Sequence, residues 1–87
     1  MSRSAKTLDR ILGRKSDASI RFDELCRQLK RLGFAERVRG DHHIFTRGGV
    51  EEILNLQPCG PLAKAYQVRQ VRDVIVRYML AEGHDAG

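Results

Sequence analysis

The apolar residues of this 87-residue chain change their repeat at Gly33-Phe34, and that switch constrains the fold more than any other feature. Upstream, Phe22, Leu25, Leu29 and Leu32 step by three and four, with Cys26 beside them, so one apolar stripe predicts a helix over about 23–32. Asp23 and Glu24 suit its positive end, Lys30 and Arg31 its negative end, and Gly33 is placed to stop it. Downstream the repeat is two. Phe34, Glu36 and Val38 fall on one face of a first strand, and Ala35, Arg37 and Arg39 on the other. Gly40-Asp41 turns the chain into a second strand over 42–47, and Gly48-Gly49 into a third over about 51–56. Residues 57–65 hold both prolines and read as a loop. A second helix follows over about 66–80, where Val68, Val71, Ile75 and Tyr78 again step three and four.

The order α-β-β-β-α predicts an α+β domain, with two amphipathic helices on one face of a three-stranded antiparallel sheet and the other face open. That succession is the pattern of a double-stranded-RNA-binding-like fold. The length leaves room for one domain, assigned to residues 20–81. Residues 1–19 carry a short apolar set, Leu8, Ile11 and Leu12, then a basic run. They read as a flexible or partly helical segment, or as an arm packing on the domain or on a partner. Residues 82–87 read as a disordered tail. No apolar run approaches the ~20 residues of a membrane span, and the basic start has no apolar region behind it, so a cytoplasmic chain without membrane association is expected. Cys26 falls in the packing stripe and Cys59 in a Pro/Gly turn. Free thiols are expected, and Cys59 with His42, His43 or His84 has no zinc-finger spacing, so neither a metal nor another cofactor is expected.

Sixteen Lys and Arg against eleven Asp and Glu give a net charge of +5, which favours a polyanionic partner through counterion release. Within the second strand, alternation sends His42, Ile44 and Thr46 to one face and His43, Phe45 and Arg47 to the other. Taking Ile44 as the core residue turns His42 toward the helices and puts His43 and Phe45 on the open face with Arg37 and Arg39. That set suits RNA: arginines for phosphate, Phe45 for stacking on an unpaired base, and an imidazole titrating near neutral pH. Cutting RNA without a metal requires a base for the 2′-OH proton and cations for the developing phosphorane charge, which a histidine among arginines can supply. The acids Glu36, Asp41, Glu51 and Glu52 are scattered, which is unlike a two-metal nuclease. Lys64, Arg69 and Arg72 on the first turns of the last helix are further candidates for phosphate.

The helix ending in Leu32-Gly33-Phe34, the arginine-bearing strand, Gly40-Asp41-His42-His43-Ile44-Phe45 and the run Tyr66 to Arg72 together resemble the HicA family of toxins over roughly residues 20–80. The resemblance implies a double-stranded-RNA-binding-like fold and metal-independent cleavage of mRNA by a histidine on this strand. It also implies a HicB-like antitoxin partner that covers the site. The family motif, Gly-Ser-x-His, maps Gly40 to its glycine, His43 to its fixed histidine and His42 to its variable position. Position 41 is Asp in place of the usual Ser. A carboxylate beside the imidazole is expected to favour its protonated form and to repel phosphate. The leading expectation is therefore an endoribonuclease with His43, and His42 beside it, as catalytic residues. The rivals are a non-catalytic RNA-binding module and a domain whose open face docks a protein.

Overall fold

A computed structural model describes residues 3–81, as an α+β domain with three helices and a three-stranded antiparallel sheet. Helix α1 spans Arg3–Gly13, a single 3-10 turn spans Asp17–Ser19, and α2 spans Phe22–Arg31. The sheet follows as β1 (Ala35–Arg39), β2 (His42–Thr46) and β3 (Leu54–Leu56), in the order β1-β2-β3. A two-stranded hairpin, β4 (Pro58–Cys59) and β5 (Leu62–Ala63), precedes α3 (Ala65–Arg77). The stretch read as a plain loop thus contains this hairpin, and Arg21 bridges to Leu62 beside it.

The α2 stripe buries Phe22, Leu25, Cys26 and Leu29, and Gly33 ends the helix with a φ of +96°. Gly40, with φ +62°, takes the first of the two turn positions between β1 and β2, where a side chain would be strained. The register set by that turn pairs Arg39 with His42, Val38 with His43, and Glu36 with Phe45. On the other side His43 pairs with Leu56, and Phe45 with Leu54. Residues directly opposite in an antiparallel pair share a face. The helix-facing side therefore carries Glu36, Val38, His43, Phe45, Leu54 and Leu56, and the open side Arg37, Arg39, His42, Ile44, Thr46 and Asn55.

This reverses the expected orientation of β2. Phe45 is fully buried while Ile44 is half-buried on the open side. The larger aromatic ring takes the core position because it removes more apolar surface from water than Ile44 does.

Of the alternatives for the N-terminal segment, the described part of it takes the form of a helical arm packed on the domain. Leu8 and Ile11 of α1 are buried in the same core as the sheet and α3. An eleven-residue helix is marginal alone, so packing and a buried ion pair hold it. Arg72 of α3, only 7% exposed, lies 2.9 Å from the Asp17 carboxylate and donates to the Ile11 carbonyl at 3.2 Å. The guanidinium thus ties α3 to the end of α1 and to the turn after it. The tail expected to be disordered lies outside the described residues.

Candidate functional site

Because β2 alternates, its two adjacent histidines lie on opposite faces of the sheet, in different surroundings. His43 points to the helix side. Its Nδ1 is 2.7 Å from Glu36 Oε2, and the other Glu36 oxygen lies 2.9 Å from Lys30 Nζ on α2. Phe22 closes one side, its ring edge-on to the imidazole at 4.9 Å between centroids. The side chains of His43 and Glu36 are 25% and 16% exposed, so the pair sits at the rim of the core, sheltered yet reachable.

Glu36 is held below the ordinary carboxylate range, first by its bond with His43 and then by Lys30. An ionised carboxylate only accepts, so Nδ1 must carry the proton it shares with Glu36. In the neutral ring the lone pair is then on Nε2, the arrangement in which a carboxylate fixes the tautomer of a histidine base.

His42 lies on the open side, 3.0 Å from Asn55 Oδ1 through Nδ1, with Arg39 directly opposite and Arg37 one pair further along. Asp41 accepts from Gln57 Nε2 at 2.8 Å and is 3.8 Å from His42 Nε2. The bond from Gln57 is the main reason its carboxyl is held below the usual range. Lys64 donates to the same Gln57 at 3.4 Å. The carboxylate that engages His43 is thus Glu36, and Asp41 belongs to a polar chain linking the β1–β2 turn to the start of α3.

The remaining candidates scatter. Arg37, Arg39 and Arg69 are exposed. Arg47 lies at the opposite end of β2 from His42, with its Nε 2.9 Å from where a Cβ on Gly33 would stand. Two assignments are corrected by burial. Phe45 is fully enclosed and cannot stack on a base, and the Arg72 guanidinium is consumed inside the domain and cannot hold phosphate.

Sequence reasoning passed over Glu36, Lys30 and Cys26. A signal for Glu36 was present: it shares the face of Phe34, so an acid there had to be buried against a partner. Cys26, placed only in the packing stripe, contributes a sulfur to the same pocket. Its Sγ, a Glu36 oxygen and a His43 ring nitrogen all lie within 4.8 Å of one another. Burial pushes its thiol up to about 12, so it is not a nucleophile at neutral pH.

No protein-family model, curated protein or solved structure matches the chain.

Proposed function

We propose that the protein is a metal-independent endoribonuclease in which His43 transfers the proton, and that the 2.7 Å contact between Glu36 and His43 carries this reading. With Nδ1 committed to Glu36, Nε2 takes the 2′-OH proton of RNA. The freed O2′ attacks the adjacent phosphorus, and the 5′-oxygen leaves with a proton returned by the imidazolium or taken from solvent, giving a 2′,3′-cyclic phosphate and a 5′-OH end. Lys30, half-exposed beside Glu36, is the cation placed on the same side to meet the phosphorane charge. The resemblance of the Gly40 to Phe45 segment to HicA toxins supports the same assignment, along with mRNA as substrate and a HicB-like antitoxin as partner. The succession α2-β1-β2-β3-α3, with the short β4–β5 hairpin inserted before α3, supports a double-stranded-RNA-binding-like arrangement.

The test is incubation of the purified chain with end-labelled RNA in excess chelator. Cleavage to cyclic-phosphate ends is expected. His43→Ala should abolish it, and Glu36→Gln should slow it by roughly 10²–10⁴-fold by releasing the ring from its tautomer. Full activity in Glu36→Gln would overturn the assignment of the dyad.

One observation favours a second reading, a non-catalytic RNA-binding module. Arg37, Arg39 and His42 share the open face, away from His43. An intact RNA, retarded on a gel by wild type but released by Arg37→Ala with Arg39→Ala, would select it.

A further inference from the structure

We propose that Cys26, Glu36 and His43 form a binding site for a thiophilic divalent cation of the zinc class, and that occupancy disables His43 as a base. The site itself rests on geometry. The disabling rests on the ribonuclease reading above.

Three elements supply one donor each: α2 a sulfur, β1 a carboxylate oxygen and β2 a ring nitrogen. The donors lie within 4.8 Å of one another, and tetrahedral zinc at its usual bond lengths needs them about 3.4–3.7 Å apart. Side-chain shifts of about 1 Å close that gap, without movement of the strands. Imidazole, thiolate and carboxylate are the zinc donor types, and three protein ligands leave a fourth position for water. Charge also balances, since a thiolate and a carboxylate neutralise the dication around a neutral ring. Lys30 contacts Oε1, whereas His43 contacts Oε2, so the ammonium can keep its bond and orient the carboxylate after the metal arrives. Phe22 provides an apolar wall at the ring edge.

On binding, the Cys26 thiol gives its proton to solvent. Coordination through Nδ1 displaces that nitrogen's proton, and the neutral ring then carries its proton on Nε2. Coordination through Nε2 uses the lone pair directly. In both cases the imidazole has no lone pair left to accept the 2′-OH proton. Zinc would therefore act as an inhibitor of this site, not as its cofactor.

Cobalt(II) titration of the full chain tests the site. Wild type should bind one equivalent, with a thiolate-to-cobalt charge-transfer band that zinc removes. Cys26→Ser should lose the band and Cys59→Ser should keep it. Because Cys26 is buried, a measurement on wild type stands beside the variant: zinc should shift the His43 ring nitrogens in a ¹H–¹⁵N spectrum and leave those of His42 in place. Absence of the band at micromolar cobalt, its survival in Cys26→Ser, or a shift confined to His42 would each overturn the site. One equivalent of zinc should stop RNA cleavage and chelator should restore it. Cleavage that continues with zinc bound would overturn the disabling. A band formed by a chain that never cuts RNA would support the site while removing the ribonuclease reading.

Discussion

Truncating Phe45 and Ile44 separately tests which face of β2 enters the core, on which the placement of both histidines depends. Phe45 is 0% exposed, and removing a buried phenylalanine to alanine costs about 3–5 kcal/mol through lost transfer energy and the cavity left behind. Ile44 is half-buried on the open side, so Ile44→Ala forfeits part of a full burial term, about 1 kcal/mol. A chain of 87 residues has a total stability of roughly 4–13 kcal/mol, so Phe45→Ala would leave a fraction of it and could unfold the domain. Phe45→Leu, at about 1–2 kcal/mol, keeps the comparison measurable. Urea unfolding followed by circular dichroism reads the difference. With a slope near 1.5 kcal/mol/M, the midpoint should fall by about 2–3 M in Phe45→Ala and by less than 1 M in Ile44→Ala. RNA retention by folded Phe45→Leu should match wild type, because a buried ring touches no base. A larger loss in Ile44→Ala than in Phe45→Ala would refute the register. So would weakened RNA binding by a Phe45→Leu protein that remains folded.

Three other outcomes follow from single side chains. Asp17→Ala should lower the melting temperature by on the order of 10 °C or more, since it strips a nearly enclosed Arg72 of its anion, a loss of about 2 kcal/mol or more; a shift under about 2 °C would show that α1 is not held this way. A chromogenic disulfide should titrate one thiol rapidly, the exposed Cys59, and the buried Cys26 only on unfolding; two fast equivalents would contradict the packing of α2. Asp41→Ser should leave any RNA cleavage within about threefold of wild type, because the acid on His43 is Glu36; a gain of tenfold or more would show that Asp41 restrains the site.

The helices were legible because each carries an apolar stripe longer than two turns. Expected limits of 23–32 and 66–80 compare with Phe22–Arg31 and Ala65–Arg77. The facing of β2 was not legible from β2 alone, since Ile44 and Phe45 are adjacent and both apolar, and so are compatible with either orientation. The information lay in its neighbours. A two-residue turn at Gly40-Asp41 forces Arg39 opposite His42 and hence Glu36 opposite Phe45. Phe34, on the face of Glu36, and the pair Leu54 and Leu56 in β3 then fix that face as the buried one. Helix α1 was obscured for a different reason. It offers three large apolar residues among polar ones, and the arginine that ties down its end, Arg72, lies about sixty positions from Ile11.

Reversing β2 exchanges the surroundings of two adjacent histidines, and it redistributes the whole site. An imidazole among arginines on the open face would have binding and proton transfer in one place. In the observed register the groups that the proposed ribonuclease would use for those tasks fall on opposite sides of one strand. His42 has Arg37, Arg39 and Asn55 on its face, groups able to donate to an anion, but its ring has no sheltered carboxylate. His43 has Glu36 at 2.7 Å and Lys30 beyond it, which fixes a tautomer but offers little surface for a polymer. A nucleic acid using both must therefore pass around the sheet at the Gly40 turn or along the β1 edge, where Val38 is 56% exposed and, among the described residues, no strand lies outside β1. An unstacked, flexible strand can make that bend and a rigid duplex cannot, so the ribonuclease proposed above would take single-stranded RNA.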